Sequence, residues 1–320
     1  MASADLIHGP MLREYGFVPM EDNGPFCPLG VCYRMDPSRG NGYYWIYYNC
    51  GMFAVVIHDF VFYEDFFLEC RLPEYLSITY YESISGEEIS PYRRLNAGVV
   101  RGFYSGKNGF QALIHKNIPV RSVGIEIMPE YYEQYLRSKY QGEYTNPCDA
   151  FESLSEDTVF PQMRLLLNQV GKYRGQSMAA KLFYEAKVAE AVSLIVERTR
   201  SQKLQRPLPS LSAEDERRIS SVTAYINDHC AFDLRLEQLC RIACMGTTKL
   251  KLCFKVVHRC TITEYIQNRR MGQAEHLLTQ TDFTIGQIAR IVGYDTPGRF
   301  SELFRRSTGL LPSEYRGFTR

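Results

Sequence analysis

What this sequence lacks narrows its function before any motif is read. No apolar run approaches the roughly 20 residues needed to cross a bilayer. The opening MASADLIHGP has no basic patch followed by an apolar stretch, so no secretory signal is expected there. A reducing cytoplasmic setting follows as the expectation, with the ten cysteines as free thiols. A strong charge of one sign is also missing: 37 Lys and Arg face 36 Asp and Glu, which leaves no overall basic excess of the kind that coats nucleic acid. There is no Gly-rich phosphate loop, no nucleophile paired with a base and no H-x-H pair in the strand-rich part, so neither an enzyme nor a cofactor or metal site is expected. Compositional bias is absent as well. With 45% hydrophobic and 23% charged residues, the 320-residue chain reads as two folded domains rather than a disordered one.

What is present is concentrated near the C-terminus. Thr284 to Arg316 reads as helix, turn, helix, with Ile285, Ile288, Ile291 and Val292 on the first element and Phe300, Leu303 and Phe304 on the second, all at helical spacing toward one core. Thr284 and Gln287 form a capping box, and Gly293 supplies the corner. A second copy lies upstream. Leu236, Gln238, Arg241 and Ile242 recur forty-nine residues later as Ile285, Gln287, Arg290 and Ile291. Past the turn the offset is fifty, so that Leu250, Phe254, Glu264 and Tyr265 answer to Phe300, Phe304, Glu314 and Tyr315. Between the copies, residues 266–278 have the pattern of a connecting helix, about 20 Å long at the standard rise. The charge average hides a matching asymmetry: from Ala213 onward 16 Lys or Arg face 12 Asp or Glu, a net of +4 where the repeat lies.

The double motif, the stretch from Arg270 through Ala274 to Leu278, and the closing Gly309, Pro312, Tyr315 and Arg316 together resemble the AraC/XylS family of transcription regulators over roughly the last ninety residues. The first copy departs from the second in having Arg259 and Ile262 where Gly309 and Pro312 stand, and Gly246 lies near where a Ser or Thr cap is common. The resemblance implies a sequence-specific regulator that binds double-stranded DNA, with RNA polymerase as a further partner.

Ahead of the repeat the texture differs. The first forty residues, rich in Gly and Pro, read as loops or an arm. Seven segments rich in aromatic and β-branched residues follow, at 43–49, 52–60, 62–71, 75–82, 98–104, 110–116 and 122–128, and predict an antiparallel sandwich or barrel. Helical periodicity then takes over at Pro129, Pro161 and Met178. The expected fold is α+β: residues 1–128 a β-rich sensing domain with an N-terminal arm, 129–200 a helical segment, 201–212 a linker, and 213–320 an all-α domain with tandem helix-turn-helix motifs. In the family such a β domain is often a cupin-like sensor of a small-molecule effector, and the helical segment pairs two protomers. On that reading Leu182, Ala186, Ala189, Val192, Ile195 and Val196 form the homodimer stripe, although such a stripe is more often ordinary core.

Candidate contacts follow from helix geometry. Outward positions recur at i, i+3, i+4 and i+7, which gives Thr247, Thr248, Lys251 and Lys255 on the first recognition helix. Lys251 is the candidate for guanine acceptors, Lys249 and Lys255 for phosphates, and Leu252 for a thymine methyl. The second helix offers Pro297, Gly298, Arg299, Ser301, Glu302 and Arg305, with Glu302 placed to accept from cytosine N4. For each of these the plain alternative is a solvated helix face. In the β domain His58, Arg94, Arg101 and His115 are polar groups on strands or their edges, suited to a carboxylate or hydroxyl of a small ligand. Two other readings stay open: a constitutive regulator whose N-terminal domain only dimerises, and a barrel enzyme carrying a DNA-binding module. The cysteines Cys27, Cys32, Cys240 and Cys244 read first as small packing residues, since Cys240 aligns with Ala289 of the second copy.

Overall fold

The computed structural model describes residues 8–22, 24–70, 74–89, 92–105, 110–152, 154, 160–203, 211–258 and 260–319, and the chain forms two compact units, 1–202 and 203–320. Most of the expected linker, residues 204–210, lies outside the described residues.

In the first unit each of the seven segments predicted as strands contains one: β3 (Gly40–Asn49), β4 (Phe53–Phe62), β5 (Phe66–Cys70), β6 (Leu76–Ser83), β9 (Val99–Tyr104), β10 (Phe110–Ile114) and β11 (Val120–Ile127), although in the segment 62–71 strand β5 starts only at Phe66 and the last residue lies outside the described residues. Four short ones join them: β1 (Phe17–Pro19), β2 (Val31–Met35), β7 (Gly86–Ile89) and β8 (Tyr92–Leu95). The opening forty residues are therefore more than loop, since they also carry a short helix α1 (Gly9–Glu14) and the strands β1 and β2, of which β1 forms the sheet edge. Pairing is antiparallel throughout, in a seven-stranded sheet ordered β1-β2-β3-β4-β11-β6-β9 and a four-stranded sheet ordered β5-β10-β7-β8.

The large sheet is buried on both faces, which explains why its strands read as nearly continuous apolar runs. Alternate residues serve two cores. Tyr44, Ile46, Ala54 and Val56 face the small sheet, where they meet Leu95, Ala112 and Ile114 with Leu12 of α1. Trp45, Tyr47, Phe53, Val55 and Ile57 face the other way, onto helices. Those helices are α4 (Pro161–Lys172), opened by Pro161 in its first turn, and α5 (Ser177–Lys203). Ahead of them a π-helical turn, Glu130–Tyr135, runs into α2 (Leu136–Lys139), and α3 (Cys148–Glu152) follows. Tyr184, Val188, Ala191, Val192 and Ile195 of α5 are sealed in this second core.

The second unit is helical. It comprises α6 (Ala213–His229), α7 (Leu236–Ala243), α8 (Thr247–His258), α9 (Ile262–Gln280), α10 (Ile285–Ile291), α11 (Pro297–Thr308) and α12 (Pro312–Thr319). Ser212 caps α6 by accepting from the Asp215 amide, and Ile219, Val222 and Ile226 are fully buried beneath it. The connecting helix α9 starts four residues earlier than its apolar pattern suggests. Thr261 and Glu264 form a capping box of their own, so the helix spans 19 residues, or about 28 Å. Among the described residues no helix is long and apolar enough to cross a membrane.

Candidate nucleic-acid interface

The two helix-turn-helix motifs are α7–α8 and α10–α11. In the first, Leu239, Ala243, Met245, Leu250, Cys253 and Phe254 are buried together with the α6 residues. In the second, Ile288, Ala289, Val292, Phe300 and Phe304 are fully buried. Ile291 departs from expectation: it is 39% exposed, because it falls past the inward stripe set by Ile288 and Val292. Leu303 and Ile285 are half-buried.

Burial of the inward stripe leaves the opposite face of each second helix free. Thr247, Thr248, Lys249, Lys251, Leu252 and Lys255 are all exposed on α8. On α11, Pro297, Gly298, Arg299, Glu302 and Arg305 are exposed and Ser301 is half-buried. Lys249 is nevertheless drawn away from the phosphate role expected of it. Its Nζ sits 2.8 Å from Asp215 Oδ1, and this contact holds the Asp215 carboxyl below its ordinary range. Lys249 thus ties the start of α8 back to α6. Lys251, Lys255, Arg299 and Arg305 make no ion pair among the described residues, so four cations remain for an external anion.

The corners of the two motifs are built differently. Gly293 has φ +89°, and a Cβ there would collide with the carbonyl oxygen of Ala231. The matching residue of the first motif is Cys244, which holds a left-handed φ of +49° despite its side chain and is exposed. Its neighbour Cys240 is only partly buried, against the first motif's core, while Cys27 and Cys32 are fully buried in the β unit. The first motif helix starts at Arg235 with no side-chain cap. The second starts with Thr284 and Gln287 in the predicted capping box.

The four polar candidates of the β unit divide between the two sides of the small sheet. Arg101 and His58 lie on the inner side. Arg101 Nη2 donates to Glu88 Oε2 at 2.6 Å, both groups nearly sealed, so this guanidinium is already neutralised. His58 Nδ1 is 2.8 Å from Ser122 Oγ, while its Nε2 is shut off from solvent with no hydrogen-bond partner. Burial pushes the His58 pKa down to about 4, with Glu126 opposing, so the ring is neutral near pH 7. His115 and Arg94 belong to the outer side. His115 Nε2 lies 2.9 Å from Glu87 Oε2, and Arg94 stands opposite Glu87 in the β7–β8 register. They do not share a site with His58, because strand alternation sends Ala112, Ile114 and Leu95 inward instead.

One inner pair was not legible in the sequence. His8, 1% exposed, places Nε2 3.1 Å from Glu126 Oε2, though neither atom has hydrogen-bond geometry. Nothing in the spacing of residues 8 and 126 signals that contact. Among the described residues no three His, Cys, Asp or Glu side chains are grouped to hold a metal ion.

The expected homodimer stripe also divides. Val192 and Ile195 are buried in the core of their own unit and are corrected from interface to core, because they share a helical face with Tyr184 and Val188. Leu182, Ala186, Ala189 and Val196 are exposed on the other face, in line with Met178.

Comparison with known proteins places residues 239–317 on a family model described as a helix-turn-helix domain. The chain is 26% identical over 136 residues to the arabinose operon regulatory protein of Escherichia coli, covering 41% of this chain and 46% of that one. It is 32% identical over 106 residues to the bifunctional transcriptional activator/DNA repair enzyme AdaA of Bacillus subtilis, covering 33% and 50%. The chain thus spans half or less of the length of these relatives. Among solved structures, the C-terminal domain of AraT, a response regulator from Geobacillus stearothermophilus, aligns with 31% identity over 35% of this chain and 89% of that one. Its TM-score is 0.30, at which the superposition carries no weight.

Proposed function

We propose, from the premise that the C-terminal domain belongs to the AraC/XylS family of transcription regulators, that this protein is a cytoplasmic, sequence-specific DNA-binding regulator controlled by a small-molecule effector. The observation that carries the DNA-binding reading is the pair of equivalent helices whose apolar faces are buried while Lys251, Lys255, Arg299 and Arg305 stay exposed, with no ion pair among the described residues. Two such helices on one polypeptide suit successive major grooves, about 10 base pairs apart. The test is selection from a random duplex pool by the full chain, followed by titration of the enriched duplex. No enrichment over a scrambled duplex would overturn the reading.

For the effector, the inner side of the sandwich is the better location, since His58 Nε2 is sealed there without a partner and His8 meets Glu126. Of the carboxylate and the hydroxyl considered for the ligand, the hydroxyl fits better, because the Arg101 guanidinium is already paired with Glu88. A cupin-like identity for the sandwich belongs to this same reading. Thermal-shift screening of the full chain against hydroxylated metabolites, repeated with His58→Leu, tests it; hits that survive the substitution would place the ligand elsewhere.

The exposed stripe through Leu182, Ala186, Ala189 and Val196 supports homodimerisation. Leu182→Asp should then halve the mass measured by light scattering. One observation favours a constitutive regulator: on the inner side Arg101 is already paired with Glu88, and His58 Nδ1 with Ser122. An enzymatic β domain is suggested by nothing but the repair activity in the AdaA relative's name.

A further inference from the structure

The two motifs are joined by the connecting helix α9 and also by a second device. Arg270, near the middle of α9, spreads its guanidinium over three main-chain carbonyls. Nε donates to Cys230 O at 2.6 Å, Nη1 to Gly293 O at 2.9 Å and Nη2 to Phe232 O at 2.9 Å. Cys230 and Phe232 belong to the turn that leads from α6 into the first motif, whereas Gly293 is the corner of the second. The Tyr294 ring lies under the same guanidinium, 5.2 Å from its carbon. At this point the two halves also touch directly, since any Cβ on Gly293 would strike Ala231 O. A planar guanidinium presents five donors in a fixed, spread fork that reaches three carbonyls from two segments at once, whereas an ammonium presents its three donors from a single point on a flexible stem.

We propose that Arg270 is a positioning residue that fixes the second motif against the first, and so sets the groove-to-groove spacing the protein accepts. The mechanism is rotational. Helix α9 alone fixes a distance, but α10 and α11 pack on it through side chains that tolerate some rolling. Tying the second corner to the turn before α7 removes that freedom. The proposal rests on the DNA-binding reading above, and its test keeps the two apart.

The full chain is offered a random-sequence duplex pool, and the enriched duplex is footprinted to mark the two grooves one protomer covers. A wild-type chain that enriches nothing removes the DNA-binding reading and this proposal with it. With an enriched duplex in hand, one base pair inserted between the grooves turns the second half-site by about 34°, and wild-type affinity should drop about tenfold or more. Arg270→Lys keeps the charge and the stem but loses the fork. It should bind the original duplex about tenfold more weakly, while its penalty for the insertion shrinks below about threefold, because the freed motif can follow the displaced groove. A residue that merely supports the fold would weaken binding to both duplexes alike, so an insertion penalty equal to that of the wild type overturns the proposal. Should Arg270→Lys fail to melt cooperatively, the DNA-free wild-type protein decides. The Nε proton of Arg270 should exchange at least about tenfold more slowly than that of the exposed Arg269, and equal exchange overturns the clamp.

Discussion

The two helix-turn-helix motifs have one plan and reach it by different means. The second is specified locally at nearly every joint. Thr284 and Gln287 cap its first helix, Gly293 turns its corner at φ +89°, Pro297 opens its second helix and Gly309 closes it at φ +83°. In the first, α7 begins at an arginine that makes no cap, and a cysteine is forced into the left-handed region where the second motif has glycine. What holds the first copy together is burial against α6, through Ile219, Val222, Ile226, Leu239 and Phe254. The difference teaches that one architecture can be maintained by local chemistry or by packing, and that substitutions should therefore act unequally on the two copies.

The largest inequality is expected at the corner. Gly293→Ala must place a methyl group against Ala231 O in a left-handed backbone, and should cost on the order of 3 kcal/mol in the C-terminal transition seen by urea unfolding. If instead the loss is only a few tenths, the two corners are equally tolerant and the contrast fails. Next come the exposed cations. Lys251→Ala should weaken binding to the enriched duplex by about 2 kcal/mol with little change in salt slope, whereas Lys255→Ala should weaken all duplexes and lower the slope by about one. Identical losses for Lys251→Ala on enriched and random duplexes would assign it to phosphate. Caps come third: Thr284→Ala should cost about 1 kcal/mol, which calorimetry of the full chain can resolve. The smallest effects are gains. Arg235→Ser would place a capping residue three before Gln238, and Cys244→Gly would relieve the left-handed cysteine. Each should stabilise the first motif by up to about 1 kcal/mol, and no gain from either would mean that packing already offsets the missing local chemistry.

Much of this was readable from residue order, and what was not has physical causes. The seven longer strands announced themselves because aromatic and β-branched runs persist when both faces of a sheet are buried. Strands β7 and β8 escaped notice because Gly-Glu-Glu-Ile and Tyr-Arg-Arg-Leu are only four residues long and each carries two consecutive charges, a pattern in which β-propensity gives little signal. Strands β1 and β2 were hidden by the Gly and Pro around them. The outward faces of α8 and α11 came straight from helical period. Yet the withdrawal of Lys249 to Asp215 depends on how α6 lies against α8, a tertiary fact that periodicity does not contain. Likewise Arg270 stood out only as a member of a motif, since its partners are backbone carbonyls, which every sequence has. The same limit applies to the stripe on α5, where a mixed apolar helix offers two faces and only packing shows that Val192 and Ile195 turn inward while Leu182 does not.

The seven-stranded sheet is a partition one residue thick. Ile57 and His58 are chain neighbours, but one looks toward α4 and α5 while the other looks toward the small sheet. Even and odd positions along β4 and β11 are thus free to diverge separately: a lineage can rewrite the packing around His58 and Ser122 and leave every support beneath the helices as it was. A saturation scan of those strands should show tolerance that flickers with every step, and such a scan would reveal which compartment is under the tighter constraint.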